Sequence, residues 1–178
     1  MKIINLSSLN GSNGFRLDGG TEGNSSGASV SNAGDVNGDG FDDVLIGAPR
    51  ANPANFFNGS TYLVFGKATG FSAEVNLSSL DGSNGSRLDA GRADDNGVFS
   101  GTAISTAGDV NGDGLDDMII GAGGYGFDHP LGISYVVFGR TSTFGAAFAL
   151  AELDGKSGFF IGPGGNYSSF STTVSNAG

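Results

Sequence analysis

An all-β fold built from repeated four-stranded antiparallel sheets is what this sequence predicts. Three observations carry that expectation. Glycine supplies 34 of the 178 residues, roughly three times its usual share, which marks many tight turns between short strands. The apolar runs are short, β-branched or aromatic, and bounded by Gly, Asn, Asp and Ser, with no sustained helical period. The chain also repeats itself every 71–74 residues with four such runs per repeat, the strand count of a propeller blade. A parallel β-helix would use much shorter repeats, and an immunoglobulin-type array about seven strands over about 100 residues.

Three elements define the repeat. NLSSLNGSNGFRLDG begins at Asn5, NLSSLDGSNGSRLDA at Asn76, and a weaker version, LAELDGKSGFFIG, at Leu150. GDVNGDGFDD occupies 34–43 and GDVNGDGLDD occupies 108–117. Each acidic stretch leads into an apolar run ending in small residues, Val44 to Pro49 and Met118 to Gly123. A variable loop and a second run follow, Tyr62 to Gly66 and Tyr135 to Gly139. Predicted strands are 13–18, 27–32, 43–48 and 60–65, then 84–89, 100–106, 117–122 and 133–138, with a last pair at 158–161 and 170–175. Residues 1–178 are read as one domain with units 1–75, 76–149 and an incomplete 150–178, about two and a half blades. Ser175-Asn176-Ala177-Gly178 matches Ser31 to Gly34, so a third acidic loop is expected next. The expectation is a partial propeller whose open edges meet the remaining blades of a longer parent or another copy of the chain.

Charge is local. The formal net charge is −10, and eight of the fifteen aspartates lie in Asp35–Asp43 and Asp109–Asp117. Two compact acidic sites point to cation binding more than to a solubilising surface. There is no Cys, which excludes a disulfide framework and thiolate metal sites. No basic patch fits a phosphate backbone, so no nucleic-acid partner is expected. No apolar stretch is long enough for a membrane-spanning helix.

The acidic loops have the donor order of calcium sites. With Asp35 as position 1, oxygen ligands fall at Asp35, Asn37, Asp39, the carbonyl of Phe41, and Asp43. The second loop offers Asp109, Asn111, Asp113, the carbonyl of Leu115, and Asp117. Alternate positions let a curled loop turn successive oxygens inward, and Gly40 and Gly114 stand at the sharp bend of position 6. An all-oxygen set without His or Cys suits a hard cation and disfavours zinc or copper. Two structural Ca²⁺ ions, coupled to folding, are therefore expected. Asp42 and Asp116, at position 8, are expected to face away and to accept hydrogen bonds from neighbouring turns.

The order of acidic loop, strand ending in Gly47-Ala48-Pro49, variable loop and Tyr62-x-Val64-Phe65-Gly66 resembles the FG-GAP repeat of integrin alpha-chain β-propellers and their bacterial relatives. The second unit has Gly121-Ala122-Gly123 and Phe138-Gly139, with Gly123 departing from the proline. The resemblance implies a ring that usually holds seven blades, calcium loops on one face and partner-binding loops on the other. It implies a secreted or cell-surface setting and a role in adhesion or in protein or glycan recognition. Two alternatives stand beside it: an accessory domain of a larger secreted enzyme, and a structural spacer in a repetitive surface protein.

The loops Arg50–Asn58 and Gly124–Leu131 differ most and hold Phe56, Phe57, Tyr125, Phe127 and the one histidine, His129. Variable loops on a repeated framework are where binding tends to reside. Phe65, Phe99 and Phe138 are expected in the core. No Ser-His-acid set or paired general acid and base is apparent, so no catalysis is expected. Asn-x-Ser sequons begin at Asn5, Asn10, Asn24, Asn58, Asn76, Asn84 and Asn166.

Overall fold

A computed structural model describes residues 5–51, 58–90, 99–123, 132–162 and 173–176. Its regular elements are β-strands and single turns of 3₁₀-helix, with no α-helix among the described residues. Among the described residues, no helix is long and apolar enough to cross a membrane. The strands are β1 (Arg16–Asp18), β2 (Ser29–Gly34), β3 (Asp43–Ala48), β4 (Ser60–Val64), β5 (Glu74–Asn76), β6 (Gly85–Asp89), β7 (Ser100–Gly108), β8 (Asp117–Ala122), β9 (Ile133–Val137), β10 (Ala147–Ala149) and β11 (Gly158–Ile161).

Two four-stranded antiparallel blades result, β2-β3-β4-β6 and β7-β8-β9-β11. The fourth strand of each blade comes from the repeat unit after the one that supplies the first three. β6 closes the first sheet although it lies within 76–149, and β11 closes the second from within 150–178. Two short parallel pairings also occur among the described residues. β10 adds to β6 with Ala147 opposite Arg87, and β5 adds to β1 with Glu74 opposite Arg16.

The central strands are buried on both faces, so their apolar residues run continuously rather than alternating with polar ones. Leu45, Leu63 and Leu88 point into the core shared with Ile104, Met118, Ile120 and Val137 of the second blade. Their neighbours Ile46, Tyr62 and Val64 point the other way, against Leu77 and Leu80 with Leu17 packed alongside. The blades also meet through backbone. Ser29 Oγ donates to the Gly101 carbonyl at 2.7 Å, and Ser100 N–H donates to the Asn58 carbonyl at 2.8 Å. Gly47 lies in this contact, and a Cβ there would overlap the Gly101 carbonyl and Ser29 Oγ.

The observed strands depart from expectation in informative places. β5 and β10 were not anticipated. Each has three residues, too few to show a period, and each exists through its parallel neighbour. The strand expected at 13–18 shortens to 16–18, because the Gly11 N–H and Gly14 carbonyl close a turn just before it. Of the strand expected at 170–175, residues 173–175 are not in a strand and the rest lies outside the described residues. Phe65 is buried as expected, whereas Phe99 and Phe138 are half-buried, the latter edge-on to Phe159 with centroids 5.9 Å apart. Phe56, Phe57, Tyr125, Phe127 and His129 lie outside the described residues. Turn chemistry accounts for the asparagines of two sequons. Asn5 Oδ1 accepts the Ser7 N–H at 3.0 Å and Asn76 Oδ1 accepts the Ser78 N–H at 2.8 Å, capping the 3₁₀ turns.

Candidate metal centre

The two acidic loops join the first pair of strands in each blade, β2 to β3 and β7 to β8. By antiparallel order they lie at the opposite end of the sheets from the β3–β4 and β8–β9 connections. Each loop winds around its own first aspartate. Asp35 Oδ1 accepts N–H bonds from Gly38 at 2.8 Å and Asp39 at 3.1 Å, and Oδ2 accepts one from Gly40 at 2.8 Å. Asn37 Oδ1 takes the Asp39 N–H at 2.9 Å, and Asp39 Oδ1 takes the Phe41 N–H at 2.9 Å. The second loop repeats the pattern. Asp109 accepts from Gly112, Asp113 and Gly114 at 2.7, 3.0 and 2.9 Å. Asn111 and Asp113 accept from Asp113 and Leu115, both at 2.9 Å. Asp and Asn fold this way because their short side chains reach backbone N–H groups a few residues on. Gly40 and Gly114 take φ values of +87° and +89°, which side chains with a Cβ rarely adopt.

Position 9 behaves differently. Asp43 and Asp117 are fully buried at the heads of β3 and β8. Asp43 Oδ2 accepts the Val36 N–H at 3.1 Å and Oδ1 the Gly66 N–H at 2.8 Å. Asp117 makes the same pair with Val110 and Gly139, both at 2.8 Å. Each of these aspartates thus ties the second residue of its loop to the glycine of the following Phe-Gly pair. Burial pushes the Asp43 carboxyl up to about 7; the Gly66 and Val36 N–H bonds oppose that, and the charges of Asp39 and Asp35 add to it. The Asp117 carboxyl is raised as well, by burial first, then against its N–H bonds by the charge of Asp113. Sequence reasoning placed both residues as ion ligands and missed this tie. The available signal was the near-constant spacing, 23 residues from Asp43 to Gly66 and 22 from Asp117 to Gly139.

The donor chemistry fits a hard cation. Each loop offers three carboxylates, an amide and a backbone carbonyl, all oxygen. An ionised carboxylate has about four acceptor positions, so the N–H bonds leave capacity at every aspartate. Asn37 Nδ2 donates to Asp39 Oδ2 at 3.1 Å and Asn111 Nδ2 to Asp113 Oδ2 at 2.9 Å. Among the described residues, no three acidic or imidazole side chains are gathered closely enough to hold an ion as they stand. The first, third and fifth positions of each loop are joined by shared backbone bonds, and position 9 stands beneath them in the core.

A family model for the FG-GAP repeat matches residues 26–64 and 100–137. These stretches contain β2 to β4 and β7 to β9 with the acidic loops between them. The chain carries two FG-GAP repeats. The outer strands β6 and β11 fall outside the matched residues. Over 101 residues the chain is 32% identical to integrin alpha-PS5 of Drosophila melanogaster. That alignment covers 55% of this chain and 9% of the integrin, so the chain spans a small part of that relative's length. FG-GAP repeats and the integrin alpha likeness point to a propeller-type recognition domain.

Proposed function

We propose that this chain is a calcium-stabilised segment of an integrin-alpha-like propeller, serving adhesion or the recognition of a protein or glycan outside the cell. The ions are structural and the segment is non-catalytic. The observation that carries this reading is the acidic loop built twice with the same donor order and the same internal bonds, each above a buried aspartate whose ionisation is opposed by burial and by its acidic neighbours. Asp35, Asn37, Asp39, the Phe41 carbonyl and Asp43 hold one ion; Asp109, Asn111, Asp113, the Leu115 carbonyl and Asp117 hold the other. Bound calcium supplies positive charge that offsets the repulsion among the loop carboxylates.

The expected result is two Ca²⁺ per chain by calorimetry and a higher melting temperature in calcium than in EDTA. At free calcium tenfold above the dissociation constant, linkage adds about 1.4 kcal/mol per site. Identical melting in calcium and EDTA, with no binding heat, overturns the calcium assignment.

A further inference from the structure

The two acidic loops are in direct contact, and one residue makes most of it. Asp116, at position 8 of the second loop, reaches back to position 1 of the first. Its Oδ2 accepts the Asp35 N–H at 3.0 Å, and its own N–H donates to the Asp35 carbonyl at 3.2 Å. One residue further along, the Arg140 N–H donates to the Val36 carbonyl at 2.8 Å. The fit is close. A Cβ on Gly34 would overlap the Asp116 carboxylate, and a Cβ on Gly139 would crowd the Val36 carbonyl at 3.0 Å. The first loop is therefore held from below by Asp43 of its own blade and from the side by Asp116 of the next. Asp42 occupies the same motif position in the first loop, is exposed, and has no such loop against it among the described residues.

We propose that Asp116 is a positioning residue for the first acidic loop, acting from the neighbouring blade, so that the two loops order and take up cations as a coupled pair. The cation part rests on the calcium reading above; the positioning part does not. Asp116 is not a ligand. It fixes the backbone of Asp35, whose carboxylate organises three N–H groups of its own loop, and any coupling it transmits is reciprocal between the two loops.

The test reads amide hydrogen exchange in calcium-free protein, with the amides of β3 and β8 as the internal reference for intact folding. Asp116→Ala is expected to speed exchange across 35–43 about tenfold and, because the coupling is reciprocal, across 109–114 by a similar factor, with the amides of β3 and β8 unchanged. Asp116→Asn keeps an acceptor oxygen and is expected to stay near the parent rates. Asp42→Ala is expected to change neither loop. Parent-like exchange at 35–43 in Asp116→Ala, loosening of that loop in Asp116→Asn, or equal loosening by Asp42→Ala overturns the positioning role. For the cations, Asp113→Ala removes a ligand of the second site and leaves the first. Adding Asp116→Ala to that variant is expected to weaken the remaining calcium affinity about fivefold, within the usual range of coupling between sites. Unchanged affinity overturns the coupling to cations. Absence of calcium binding by the parent protein refutes the calcium reading, and the exchange measurement still decides the positioning role.

Discussion

Gly47→Val is expected to lower the melting temperature by roughly 10 °C, the equivalent of about 3 kcal/mol in a domain of this size. Gly47 is buried in β3 at a close contact between the two blades, and its missing Cβ is the space occupied by the Gly101 carbonyl and Ser29 Oγ. Overpacking a tight contact typically costs about 1–3 kcal/mol. Pushing the blades apart also breaks the 2.7 Å bond from Ser29 Oγ to Gly101, which contributes roughly 1 kcal/mol. Gly70→Ala is the comparison. Gly70 has a φ of +73° and nothing within 4 Å of its would-be Cβ, so only the left-handed backbone penalty of about 1–2 kcal/mol applies. Thermal unfolding of both variants decides the matter; equal shifts would mean that close approach at Gly47 is not what holds the blades.

Asp43→Ala carries the second large effect, also about 3 kcal/mol, and it is expected in EDTA as well as in calcium. Removing the carboxylate strands the buried Val36 N–H and the half-buried Gly66 N–H, and a fully buried unsatisfied donor costs about 1–3 kcal/mol. Asp43→Asn retains one acceptor oxygen and should recover about half of the loss. A residue acting only as an ion ligand would show its cost in calcium and none in EDTA. Chemical unfolding in both buffers separates these roles. A variant with parent stability in EDTA would remove Asp43 from the framework and leave it as a ligand alone.

The fold was largely legible because strand, turn and repeat signals agree. The run Asp43–Ala48 matches its observed strand to the residue, as does Asp117–Ala122, since each is bounded by an acidic turn and by small residues. What stayed hidden depends on partners far away in sequence. Nothing in Glu74-Val75-Asn76 marks a strand until β1 lies beside it. The candidate site divides in the same way. The Asp-x-Asn-x-Asp-Gly spacing displays its donors openly, because alternate side chains in a curled loop turn to one side. That position 9 also anchors the Phe-Gly glycine is invisible locally, since its N–H partner lies 23 residues on. Position 8 was expected to bond a neighbouring turn; that the turn belongs to the other acidic loop, 81 residues away, emerges only when the blades are stacked.

The outer strand of each sheet is supplied by the repeat unit that follows. The segment that is copied in the sequence and the body that folds are therefore out of phase by one strand. Excising one sequence unit, 1–75, would remove β6 from the first sheet and leave β4 with an open edge. A segment cut in the folding phase, from β2 through β6, keeps all four strands. Duplication in the sequence phase has the opposite virtue: every inserted copy completes the sheet before it and hands its own edge forward, so an array can gain a unit without any junction being redesigned.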